Sequence, residues 1–132
     1  MWTLDYRPDF TAAESGLDAF LRLDKPMDFI GKRAAAAAKA RGPEKPLITL
    51  VVDANQVDAH RDEPIFREGR CVGYVTSGGY AHYVGKSVAM GYVRAKCQKS
   101  DAPFEIEFLG EMRTAIMQRT PLFDPNGERM KI

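Results

Sequence analysis

Phe104-Glu105-Ile106-Glu107-Phe108-Leu109-Gly110-Glu111-Met112-Arg113-Thr114-Ala115-Ile116-Met117-Gln118-Arg119 is the stretch that decides the fold. Phe104, Ile106 and Phe108 alternate with Glu105 and Glu107, so an extended chain puts the three apolar residues on one face and the carboxylates on the other. That predicts a strand over 104–109 with one face buried and one in water. Gly110-Glu111 then reads as a tight turn, and 112–119 as the returning strand of a hairpin.

Outward from that hairpin the same punctuation recurs. Short apolar runs at 46–53, 64–67, 70–77 and 86–96 are divided by turn residues, and Glu68-Gly69 marks a second hairpin. Six strands with no helix between them predict a mainly β fold, a six-stranded antiparallel Greek-key-type barrel, because closure removes the exposed edges of a small sheet. One α-helix precedes it. Lys32, Arg33 and the run Ala34 to Ala38 have high helix propensity, Gly42-Pro43 stops them, and Asp28 reads as the N-cap of a helix over 28–41 with its Ile30 side resting on neighbouring structure. Residues 1–27, with scattered aromatics, read as a lead-in or connecting segment, and 28–132 as the barrel domain with its helix.

With 132 residues, 45% hydrophobic and 28% charged, the composition is that of one ordinary folded domain. A net charge of +1 provides no field for phosphate backbones, so nucleic acid is not an expected partner. No apolar run approaches the length of a membrane span, and no charged leader with an apolar stretch follows Met1, so neither a membrane nor export is expected. Cys71 and Cys97 belong to no paired motif and read as plain buried or half-buried thiols in a reducing compartment, the cytoplasm or an organelle matrix. Oligomeric state has no signature in the sequence.

Chemistry-bearing motifs are few. Gly85-Lys86-Ser87 ends like a phosphate-binding loop, but the first glycine of that motif would fall on Tyr80 and the residues after Ser87 read as strand, so no helix N-terminus would face a phosphate. His60 and His82 form no metal-ligand spacing, and no metal is expected. No Ser or Cys stands beside a base, so no catalytic residue is assigned. The loop 77–85 concentrates Gly78, Gly79, Tyr80, His82 and Tyr83, small residues for close approach beside aromatic and polar groups, and reads as the functional edge of the barrel.

Several segments in order resemble a known family. Glu14-Ser15-Gly16-Leu17, Leu23-Asp24-Lys25 and Asp28-Phe29-Ile30-Gly31-Lys32 are similar to E-A-G-L, L-D-K and D-F-I-G-K signatures. Gly73-Tyr74-Val75-Thr76-Ser77-Gly78-Gly79-Tyr80 and Lys86-Ser87-Val88-Ala89-Met90-Gly91-Tyr92-Val93 resemble G-x-V-T-S-G-G-Y and K-S-I-A-L-G-Y-V. These belong to the aminomethyltransferase fold of the glycine cleavage T-protein and of the folate-binding ends of sarcosine and dimethylglycine dehydrogenases. Pro121-Leu122-Phe123-Asp124-Pro125 resembles the P-L-Y-D-P of the dehydrogenase branch.

The resemblance implies the terminal barrel that closes one side of a tetrahydrofolate cavity, in a protein that transfers a one-carbon unit from a small amine to folate. The resemblance implies that the family's larger preceding region supplies the acidic residue that positions the amine intermediate and most of the cavity, so this chain alone is expected to lack catalysis. It further implies folate contacts from Thr76, Ser77, Gly78, Gly79, Tyr80 and His82, an aromatic from the connecting segment at Phe20, and Phe123 from the ending. Cytoplasm, or the mitochondrial matrix in a eukaryote, is the implied location. The alternative is a stand-alone barrel acting as a binding or interaction module without catalysis.

Overall fold

The computed structural model describes residues 2–131. Strands β1 (Leu47–Val52), β2 (Pro64–Arg67), β3 (Arg70–Ala81), β4 (Lys86–Val93), β5 (Phe104–Phe108) and β6 (Glu111–Gln118) follow a single helix, α1 (Lys32–Arg41). They close into an antiparallel barrel in the order β1-β4-β3-β2-β5-β6, with β6 paired back onto β1. β2, β3 and β4 form a meander, and β1, joined to β2 by the long crossing 53–63, lies beside β4, which is a Greek-key path. Alternation does what the carboxylates of β5 require: Phe104, Ile106 and Phe108 point inward to meet Ile48, Leu50, Val52, Ile65, Val75 and Ala115 in the core.

Three boundaries differ from the sequence reading. The last hairpin turns on Leu109-Gly110, with φ of 52° and 77°, one residue before the expected Gly110-Glu111. A two-residue turn needs positive φ at both central positions to match strand twist, as Glu68 and Gly69 (51° and 70°) also show. β4 stops at Val93, because Arg94 donates its backbone N–H to Val72 and a 3-10 turn, Ala95–Lys99, follows. The buried Arg67 holds that turn by donating to the carbonyls of Cys97, Ser100 and Ala102, its guanidinium 4.5 Å from the centre of the Phe104 ring. Third, β3 runs on to Ala81 instead of ending near Ser77, staying paired with β4 across a register shift between Val75 and Ser77.

The helix reading also needs correction. α1 begins at Lys32, and its cap position is Gly31 at φ 87°, with no side-chain cap. Asp28 lies too early to reach the free N–H groups of the first turn and instead accepts from the adjacent Phe29 N–H at 2.9 Å, a local turn bond. Ile30 does not rest on anything; it is fully exposed. Asp28→Ala should therefore change stability by less than about 0.5 kcal/mol, as at other exposed sites. A denaturation midpoint reporting a loss of about 1 kcal/mol or more would restore Asp28 as the cap.

Candidate functional site

Thr76 and Ser77 sit at the register shift of β3, and their hydroxyls turn to the lead-in. Both donate to the same carboxylate oxygen of the buried Asp5, each at 2.6 Å. Burial pushes the Asp5 carboxyl up, and the hydrogen bonds it accepts, those of Ser77 and Thr76 among them, more than offset that, leaving its pKa below the ordinary value. Beside it, Tyr92 on the outward face of β4 donates to the Asp5 carbonyl at 2.7 Å and shares a 2.9 Å hydrogen bond with the Ser15 hydroxyl. The Phe10 ring stacks on Tyr92 at 3.6 Å between centres. Glu14 completes the attachment: its carbonyl accepts from Leu47 N–H at 2.7 Å and its carboxylate from Thr11 and Lys45 N–H groups.

The rim lies where β3 runs past β2 and is paired with β4 alone. The expected loop 77–85 is mostly strand; only the four residues after Ala81 turn, closed by Val84 and Gly85 N–H groups donating to the Ala81 carbonyl. Gly78 is small for an internal reason, since a Cβ there would stand 2.1 Å from the Ala59 carbonyl oxygen, whereas at Gly79 the space is open. Tyr80 is half exposed, and His82 meets its ring edge-on at 5.0 Å. Tyr83 packs at 5.0 Å on Phe123, over which Arg129 lies at the same distance. A cavity of about 500 Å³ opens beside this rim, lined by Val52, Asp53, Tyr80, Lys86, Ser87 and Thr114. Within it Ser87 donates to Asp58 at 2.6 Å, while Lys86 makes no ion pair among the described residues.

The structure brings together Tyr80 and His82, and separately Tyr83 and Phe123. It does not bring Phe20 to them: Phe20 lines another cleft, with Leu21, Arg22, Met27 and Phe29. Asp5 belongs to no motif, and Ser15, Tyr92 and Lys86 lie in quoted motifs that assigned them no role in the site. Cys97 is buried as expected, but Cys71 is exposed, because it stands at the open end of β3 beside the Glu68-Gly69 turn. Among the described residues no group of three or more His, Cys, Asp or Glu could hold a metal ion, and no helix is long and apolar enough to cross a membrane.

Comparison with known proteins gives one consistent result. Residues 45–124 match the family model of the glycine cleavage T-protein C-terminal barrel domain. Human mitochondrial dimethylglycine dehydrogenase is 35% identical over 98% of this chain, and an aminomethyltransferase of Rippkaea orientalis is 34% identical over 96% of it. The chain spans 15% and 34% of those two proteins. The crystal structure of glycine cleavage system aminomethyltransferase T from Bartonella henselae superposes with a TM-score of 0.78 and 25% identity, covering 92% of this chain and 34% of that one.

Proposed function

Since this chain belongs to the family of the glycine cleavage T-protein C-terminal barrel domain, we propose that it closes one side of a tetrahydrofolate cavity in an aminomethyltransferase- or dimethylglycine dehydrogenase-type protein. In that reading residues 1–27 are the connecting segment and 28–132 the barrel domain with its helix. The observation that carries it is the rim: Tyr80 lines a cavity that also holds Lys86, and His82 meets the Tyr80 ring edge-on. An aromatic face, an imidazole and an ammonium suit a ligand that joins a flat heterocycle to carboxylates. Phe123, whose ring lies 5.0 Å from both the Tyr83 ring and the Arg129 guanidinium, is in this reading a further folate contact.

Tetrahydrofolate supplies the nucleophilic amine that takes up the one-carbon unit from a small amine donor. What this chain supplies is orientation and exclusion of water, which can lower such a barrier by several kcal/mol without any acid or base of its own. Thr76 and Ser77 act behind the rim, their hydroxyls committed to Asp5. The compartment this implies is the cytoplasm or, as with the human relative named mitochondrial, the mitochondrial matrix.

The test replaces the matched segment of human dimethylglycine dehydrogenase with this chain and titrates tetrahydrofolate. Changing Tyr80 and His82 together to alanine should weaken binding by about tenfold, roughly 1.4 kcal/mol, and leave thermal stability within about 1 kcal/mol, as at exposed positions. Normal folate affinity in the double variant, or an unfolded barrel, would show that the rim is structural.

A further inference from the structure

Two asparagines stand in the chain, Asn55 before Gln56 and Asn126 before Gly127, and both are exposed. The side-chain carbonyl of an asparagine is open to attack by the backbone nitrogen of the following residue. A glycine there, lacking Cβ, lets the two groups approach closely, whereas Gln56 obstructs the same approach at Asn55. Asn126 also sits inside a clasp. Gly127 N–H donates to the Asp124 carbonyl at 2.9 Å. The Asp124 carboxylate accepts from the N–H groups of Glu128 and Arg129 at 2.8 and 3.1 Å, and the Asn126 amide donates to the Glu128 carboxylate at 3.4 Å. These bonds hold the 3-10 turn Glu128–Met130, from which Arg129 reaches to 5.0 Å from the centre of the Phe123 ring. Asp124 is at φ 44°, a left-handed conformation that costs energy in a residue with a Cβ. Every side-chain hydrogen bond of the clasp joins exposed groups, so it opens locally at small cost.

We propose that Asn126 is a site of spontaneous covalent modification, converting to aspartate or isoaspartate, and that this conversion releases Arg129 from Phe123. In the open clasp the Gly127 nitrogen gives up its proton to hydroxide and forms a bond to the side-chain carbonyl carbon of Asn126. The bond from that carbon to the amide nitrogen breaks, and the nitrogen takes a proton from water and leaves as ammonia. Water then opens the cyclic imide at either of its carbonyls. Opening at the main-chain carbonyl leaves isoaspartate, with the main chain routed through the side chain and lengthened by a methylene; opening at the other gives aspartate. Nothing is oxidised or reduced, and water with its hydroxide is the only co-reactant. Both products undo the clasp. Aspartate puts a carboxylate where an amide donated to Glu128, so attraction becomes like-charge repulsion. Isoaspartate also lengthens the main chain between Asp124 and the N–H groups it caps. The closed clasp is the brake, because it occupies the Gly127 N–H. This chemistry is independent of whether the rim binds folate.

The test incubates this chain in mildly alkaline buffer and follows it by peptide mapping with mass spectrometry, aspartate and isoaspartate being separated by chromatography. Asn126 is expected to show the mass change of amide-to-acid exchange several-fold faster than Asn55 in the same sample. Gly127→Ala should slow the conversion several-fold, since its Cβ obstructs the attack, and Asp124→Ala should speed it by loosening the clasp. In the converted chain the nuclear Overhauser contact between Arg129 and Phe123 should be lost, and Asn126→Asp should lack it from the start. Equal rates at the two asparagines, or a rate unmoved by Gly127→Ala, would overturn the site. A rate that Asp124→Ala leaves unchanged would overturn the brake, and an Arg129 contact that survives conversion would overturn the consequence.

Discussion

Tyr92→Ala is expected to cost about 3 to 5 kcal/mol, the range for removing a large buried aromatic. Tyr92 is 1% exposed yet faces outward from β4, so what buries it is the lead-in. Phe10 covers its ring at an interplanar angle of 7°, and its hydroxyl lies between the Ser15 hydroxyl and the Asp5 carbonyl. Alanine would open a cavity on the barrel wall and leave two buried polar groups unpaired. Burial also pushes the Tyr92 hydroxyl above its ordinary pKa of 10.0, so it remains a neutral donor throughout the working range. Tyr92→Phe, which keeps the stack and removes the hydroxyl, should cost about 1 to 2 kcal/mol. Urea midpoints at constant slope measure both. A loss below about 1 kcal/mol for Tyr92→Ala would mean that the lead-in does not hold the barrel.

The barrel was legible because its signal is local. Glu105 and Glu107 between Phe104, Ile106 and Phe108 announce a two-faced strand, and Glu68-Gly69 announces a hairpin turn, from neighbours alone. Where reading failed, a distant partner set the outcome. Residues 94–96 continue β4 as plausibly as any polar strand end, until Arg94 is drawn to the Val72 carbonyl. Gly78-Gly79 looks like a turn, but Gly78 is a strand residue whose missing side chain admits the Ala59 carbonyl. Asp28 has the right chemistry for a cap and the wrong position, since Gly31 in the left-handed region starts the helix. The same limit applies to the site. Tyr80 and His82 are near in sequence and were found together, whereas Ser15 and Tyr92, 77 residues apart, meet only in the fold. Motif resemblance marked Glu14, Ser15, Gly16 and Tyr92 without saying why; the hydrogen bonds of Glu14 to β1 and of Ser15 to Tyr92 are the physical reason.

Asp5→Ala should cost about 2 to 4 kcal/mol, because hydrogen bonds to a charged acceptor contribute about 1.5 to 3 kcal/mol each, although the Thr76 hydroxyl keeps the Met90 carbonyl at 3.2 Å as an acceptor. Among the donors are Thr76, 2% exposed, and Ser77, at the point where β3 shifts register against β4. The loss would therefore be felt in the barrel as well as in the lead-in. The carboxylate has a signature that a merely packed side chain lacks. Burial raises its pKa, the hydrogen bonds it accepts lower it by more, and the net value lies below the ordinary 3.8. A group whose folded pKa is depressed contributes stability that is fully present above the unfolded pKa and is lost as pH falls through the folded one. Stability of the chain should thus hold level above about pH 5 and fall as the acid range is entered, with part of that slope owed to Asp5. Asp5→Asn keeps the shape, removes the charge and should flatten that part of the acid slope while lowering stability at neutral pH. Denaturant midpoints measured from pH 7 to pH 3 for both proteins decide it. If the two curves run parallel through the acid range, Asp5 is held by packing alone, and the β3 register shift has another cause.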